Sequence, residues 1–226
     1  MAVDSYAKLQ SHIADTINRD DLSDSVTAFS PASLDSTIVR MIAQAEERVE
    51  HDIIARGGIS YMETVDNSLT ATAGTETVAL PSDFKLIRTF AITSNPYVVL
   101  QNYPDINSLF TDYASTTNGQ PVAYSVVGTS TAYLRLIPDA TYNLRLVYYA
   151  ALSKLSDSNT SNWLLTNALG VYVAATMVEL CMYLESNRLQ FWEGLYKQKL
   201  NDLMNDDRMV RYNGTPTKPS LQVAIA

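Results

Sequence analysis

The apolar residues of this chain repeat at two different intervals, and the interval changes twice along its length. Near both ends they recur every three or four residues; in the middle they alternate. A spacing near 3.6 buries one face of a helix, and a spacing of 2 buries one face of a strand. The chain is therefore predicted to run helix, sheet, helix.

Tyr6, Leu9, Ile13 and Ile17 form the first stripe, with Asp4 or Ser5 as candidate caps and a polar run over 18–21 as its end. A second helix is predicted after Pro31, capped by Ser33 or Asp35. It should bury Ile38, Met41, Ile42, Ala45, Val49 and Ile53, leaving Arg40, Glu46, Glu47, Arg48 and Glu50 mainly on the wet side. Gly57-Gly58 stops it. Alternation then takes over. Val78 and Leu80 alternate before Pro81, and further strands are predicted over 86–93, 97–101, 122–127, 133–137 and 142–149. Short turns at Gly128-Thr129-Ser130 and Pro138-Asp139-Ala140 link the last three into an antiparallel meander. A short helix is predicted over 105–110.

The helical interval returns after Ser161. Glu179 is the single charged residue from Trp163 to Leu184, so the helix there is expected to be buried nearly all round. Asn187 with Gln190 reads as a capping box opening a last helix through Leu189, Trp192, Tyr196, Leu200 and Leu203, with Glu193 and Lys197 as a supporting pair. From about Met209 the pattern dissolves into a tail punctuated by Gly214, Pro216 and Pro219. The predicted fold is α+β: an antiparallel helical bundle from residues 1–58 and 152–208, an inserted β-rich lobe over 59–151, and an extended C-terminal arm over 209–226. A Gly/Pro stretch leading to alternating Leu221, Val223 and Ile225 suits an arm that adds a strand to a neighbour. Arg208, Arg211 and Tyr212 at its base are candidates to anchor it to acidic groups.

Several chemistries find little support. The net charge is -8 and the sixteen basic residues are dispersed, whereas a grip on nucleic acid needs clustered cations. An acidic protein can surround DNA and leave it mobile. Adjacent carboxylates, Asp20-Asp21, Glu46-Glu47 and Asp206-Asp207, diverge on a helix and make no acid/base pair unaided. His12 and His51 are the two histidines; Glu47 and His51 share an i,i+4 spacing, but no HExxH or Cys/His cluster accompanies them, so no metal and no cofactor is expected. Neither a nucleophile elbow nor a phosphate-binding loop is present. Lone Cys181 in an apolar run reads as core. Residues 163–184 are long enough to span a bilayer, yet Glu179, Asn167, Gly170 and two threonines lie within them and no basic cluster flanks them; a bundle helix is expected instead. Residues 1–8 lack a signal pattern, so the sequons at Asn159 and Asn213 are expected to stay bare and the chain to be intracellular. A charged fraction of 18% with 14 tyrosines suits a surface partly covered by a partner.

A series of short stretches carries a family resemblance: Asn18-Arg19-Asp20-Asp21-Leu22, Ile42-Ala43-Gln44-Ala45-Glu46-Glu47-Arg48-Val49, Leu80-Pro81-Ser82-Asp83-Phe84, Pro121-Val122-Ala123-Tyr124, Leu134-Arg135-Leu136-Ile137-Pro138, Leu146-Val147-Tyr148-Tyr149-Ala150, Leu155-Ser156-Asp157 and Asn162-Trp163-Leu164-Leu165-Thr166-Asn167. In this order they resemble the head-to-tail adaptor (connector) proteins of tailed bacteriophages, especially short-tailed ones, over nearly the whole chain from Tyr6 to about Asp207. One departure is that Leu169 and Gly170 stand where the family often has a proline and an acidic residue. The resemblance implies a structural virion protein and no enzyme. Its members form a ring, commonly twelvefold, beneath the portal protein, extend the DNA channel, and dock tail nozzle or tail fibre proteins. It also implies assembly in the host cytoplasm, double-stranded DNA passing without specific binding, no membrane, and a C-terminal arm reaching the portal. Alternatives are a tail nozzle or head-completion protein, a hydrolase using Glu47 and His51, and a nucleic-acid-binding module.

Overall fold

A computed structural model describes residues 3–17, 37–94, 96–114 and 117–212. In chain order the elements are α1 (Tyr6–Ile17), α2 (Thr37–Ala55), a 3-10 turn (Ser60–Met62), β1 (Glu63–Asp66), β2 (Thr70–Ala71), β3 (Thr77–Ala79), β4 (Phe84–Ile92), β5 (Val98–Val99), β6 (Gln101–Tyr103), α3 (Ile106–Asp112), β7 (Ala123–Val127), β8 (Thr131–Arg135), β9 (Tyr142–Ala150), α4 (Trp163–Asn167), α5 (Leu169–Tyr183) and α6 (Leu189–Tyr212). They fall into two compact units, one from residues 1–53 with 153–226 and the other from 54–152. The α+β class matches the two periodicities, and the second unit is one continuous stretch that interrupts the first.

In the helical unit α5 is the hub, packing against α6, α4 and α1. Val171, Tyr172, Ala174, Ala175, Thr176, Met177, Val178, Glu179, Leu180 and Cys181 are all buried, so every side of the helix is covered. Tyr6, Leu9 and Ile13 of α1 and Ile38, Met41, Ile42, Ala45, Val49 and Ile53 of α2 are buried where their spacing put them. Each large side chain removed from water this way contributes roughly 1.5–3 kcal/mol.

The termini of these helices differ from the sequence expectation in instructive ways. The long apolar run divides at Ala168: Asn162 caps α4 by accepting the Leu165 N–H at 2.9 Å, and α5 starts afresh at Leu169. Asp4 turns to Lys8 (2.7 Å), and the Tyr6 N–H donates to the Thr160 carbonyl at 2.7 Å. The side chain at the start of α6 is Ser186, whose Oγ accepts the Arg188 N–H at 3.3 Å, in place of the expected Asn187 box. Ser186 is fixed by the end of α5: its N–H donates to the Cys181 carbonyl (2.9 Å), and Glu185, at φ 50°, donates to Met182 (3.3 Å). This six-to-one and five-to-two pair is a Schellman ending with glutamate in the left-handed position that glycine usually takes. Helix α6 continues past Met209 to Tyr212, with Glu193 and Lys197 3.9 Å apart as an i,i+4 pair. The candidate caps Ser33 and Asp35 lie outside the described residues.

The second unit holds two sheets. One has the order β1-β9-β4-β5, with β2 pairing the start of β9; the other has the order β3-β8-β7-β6. Strands β7 and β8 form the expected hairpin, Ala123 opposite Arg135 through Val127 opposite Thr131. The expected meander stops there. Strand β9 crosses to the other sheet, where β4 and β1 take its two edges, while β8 lies between β7 and β3. Pro138 explains the break, since it has no N–H to continue a ladder. Strands β6 and β7 are parallel, joined through α3, which packs on both. Asp105 caps α3, accepting the Ser108 N–H at 3.0 Å. The core joins Phe90 edge-on to Tyr124 (centroids 5.2 Å apart) with Ile92, Leu134, Leu144, Leu146 and Tyr148. At the unit's entry Gly58 has φ +74°, and a Cβ there would sit 2.6 Å from the Tyr149 ring, so glycine alone fits both the conformation and the space.

Candidate assembly interface

Helix α2 crowds Glu46, Glu47, Arg48, Glu50, His51 and Asp52 into seven consecutive positions. Adjacent carboxylates on a helix point apart, and Glu46 and Glu47 do so here with opposite fates. Glu47 accepts from the Lys154 ammonium at 2.9 Å on the surface. Glu46 is buried, correcting its placement on the wet side: it accepts the Leu155 N–H at 2.8 Å and the Tyr172 hydroxyl. Burial raises its carboxyl above the ordinary value, although both hydrogen bonds oppose the shift. The Tyr172 hydroxyl is raised too, first by burial and then by the Glu46 charge. Glu50 is also buried.

Two further residues of α2 reach across. The Arg48 Nε lies 2.5 Å from Glu179 Oε1, which gives the one charge of the apolar α5 its partner. The Tyr196 hydroxyl of α6 donates to Asp52 Oδ2 at 2.6 Å. Glu46, Arg48 and Asp52 thus tie α2 to both α5 and α6. The loop 153–162 joins the same network: Asn162 Nδ2 donates to the Ser153 carbonyl (2.8 Å), and Asn159 Nδ2 to Ser153 Oγ (2.8 Å) and the Lys154 carbonyl (2.6 Å). Sequence reasoning missed this clamp because a wet-side assignment from periodicity cannot see a loop and two helices arriving 100 residues later.

The catalytic alternative gains nothing from this geometry. Glu47 is engaged by Lys154, and the exposed His51 ring lies 3.6 Å from Asp52, its own neighbour. Among the described residues no three His, Cys, Asp or Glu side chains gather where a metal could sit. Cys181 is buried, and that burial holds its thiol above the ordinary value, which disfavours the reactive thiolate. No helix among the described residues is long and apolar enough to cross a membrane. In the second unit, a groove lined by Phe84, Leu86, Tyr103 and Tyr124 has Lys85 as its one charged side chain.

Exposed apolar side chains are more telling. Among the described residues of the helical unit they gather at the two ends of α6. Tyr183 and Phe191 flank the α5–α6 turn, and Met209 (76% exposed) and Val210 (72%) occupy the far end. Of the arm candidates, Arg208 is exposed beside them. Arg211 is held by Asp207 at 2.6 Å, an i,i+4 pair with the cation in the last turn, where the helix dipole favours it. Tyr212 closes the helix. Leu221, Val223 and Ile225 lie outside the described residues. In the sheet unit Val65, Leu86, Tyr97 and Val99 are exposed.

No curated protein matches the chain. A family model does: that of the SU10 adaptor protein, over residues 4–219. This match takes in both compact units and runs beyond the end of α6, so by nearly its whole length the chain belongs to the SU10 adaptor protein family, structural adaptor components of bacteriophage particles.

Proposed function

We propose that the protein is a head-to-tail adaptor of a short-tailed phage that assembles as a homo-oligomeric ring of about twelve copies beneath the portal. The ring extends the DNA channel, docks tail nozzle or tail fibre proteins, and has no catalytic chemistry of its own. The family match over residues 4–219 carries this reading. Three observations support it. The net charge of -8 suits a channel that DNA leaves without being gripped. Both ends of α6 present apolar side chains to solvent, as surfaces awaiting a partner do. The family match continues past Tyr212 through the Gly/Pro stretch to Pro219.

In this reading the arm beyond Tyr212 docks on the portal, with Arg208, Arg211 and Tyr212 in the last turn of α6 at its base and Leu221, Val223 and Ile225 along an added strand. Deleting residues 215–226 is expected to abolish co-sedimentation with portal particles while leaving the far-ultraviolet circular dichroism unchanged. Portal binding equal to the full chain's would refute the arm. A full chain that fails to bind portals but binds an assembled adaptor ring would instead identify a tail nozzle.

A further inference from the structure

Asn118-Gly119 is an unstable pair in covalent terms. With no side chain to shield it, a glycine backbone nitrogen can attack the amide carbon of the preceding asparagine. A C–N bond forms, ammonia leaves, and water then opens the cyclic imide to aspartate or isoaspartate. The product carries one more negative charge, and the isoaspartate form an extra backbone carbon. The attack requires that nitrogen to be free to lose its proton and swing toward the side chain.

The fold withholds that freedom. The Gly119 N–H donates to the Ile137 carbonyl at 2.8 Å, and Asn118 pairs with Ile137 in an isolated parallel bridge. Three residues on, the Val122 N–H donates to the Arg135 carbonyl at 2.6 Å, so the segment is fastened again. A Cβ at position 119 would lie 3.0 Å from Leu136 Cδ1, so a larger residue would need the Leu136 side chain to give by a few tenths of an ångström. The Asn118 side chain itself faces solvent. The nucleophile is shielded, and the electrophile is not.

We propose that Asn118 is a latent deamidation site, kept silent by the pairing of 118–122 with 135–137 and released only when that pairing opens. Reaction then proceeds from a minor open state, and its rate falls by the fraction of time spent open. The full-length protein incubated at mildly alkaline pH, native and in urea, is peptide-mapped at residue 118, separately from Asn213-Gly214, which lies outside the described residues. Deamidation at 118 is expected to be at least about tenfold slower in the native protein. Equal rates would overturn the proposal. Native-state hydrogen exchange offers a second reading: the Gly119 amide is expected to be protected, and exchange at the free-peptide rate would overturn it as well.

Discussion

The two compact units solve the same packing problem with different materials. Among the described residues, the helical unit buries Gln10, Glu46, Glu50, Thr176 and Glu179, and the sheet unit buries the polar residues Ser125 and Arg135. Arg135 is itself held by Glu76 at 3.0 Å and lies over the Phe110 ring. The contrast has a physical origin. Strands are held in register by a backbone ladder, so their core can be largely aliphatic and aromatic. Helices satisfy their backbones internally and meet through side chains alone, so a polar pair that fits in one position can define their register. In this protein Glu46–Tyr172, Arg48–Glu179 and Asp52–Tyr196 are the side-chain pairs that link α2 to α5 and α6.

That contrast is open to direct tests, because both tryptophans, Trp163 and Trp192, lie in the helical unit. Tryptophan fluorescence reports that unit, while far-ultraviolet circular dichroism reports both. The largest effect is expected from Phe90→Ala. Phe90 is 1% exposed at the centre of the sheet core, and its truncation is expected to cost about 3–5 kcal/mol. The circular dichroism transition should move to lower urea and the tryptophan transition should not. Equal movement of both would mean that the units unfold as one.

Next in size is Arg48→Met, which strands the Glu179 carboxylate in an apolar helix. A loss of about 2–3 kcal/mol is expected in the tryptophan transition. Adding Glu179→Leu should recover most of it, since an apolar pair carries no desolvation cost. If the double variant is no better than the single one, the pair supplies stability that an apolar pair does not replace.

The smallest effect is expected from Glu46→Gln, within about 1 kcal/mol of the parent, because the amide oxygen still accepts a hydrogen bond. Its signature is in pH. The Glu46 carboxyl is raised from 4.5 in the folded protein, so the fold binds that proton more tightly than the unfolded chain does. The stabilisation this gives is fully present below the unfolded value and is lost as pH rises through the folded one. Glutamine does not titrate. The stability of the parent relative to the variant should therefore decline as pH rises above about 4.5, measured by urea unfolding across a pH series. A difference that grows with pH would contradict the burial of Glu46.

Much of the fold was legible because apolar spacing reports burial directly. The stripes of α1 and α2, the all-round burial of α5 and the β7–β8 hairpin all follow from it. What it could not reveal were contacts decided elsewhere in the chain. Glu46 is polar and sits among polar neighbours, yet Tyr172 and Leu155 bury it. Strand β9 follows β8 after a short turn, yet its partners β4 and β1 were made some 60 to 80 residues earlier. Ser186 displaced Asn187 as a cap because the Schellman ending of α5 fixes Ser186 first. For the candidate interface, composition suggested a covered surface, but which apolar side chains remain outside depended on which ends of α6 the bundle leaves bare.

The interruption of the helical unit by residues 54–152 also sets an order of events during synthesis. The partners of Glu46 and Arg48 are translated 126 and 131 residues after them. When α2 leaves the ribosome it has no hub to pack on, and its buried acids face water. The sheet unit, complete at Leu152, clears the ribosome while α5 is still inside it and can condense alone. Nascent chains stalled once residue 152 has cleared the ribosomal exit should therefore already contain a protease-resistant sheet, with the helical half still waiting for α6.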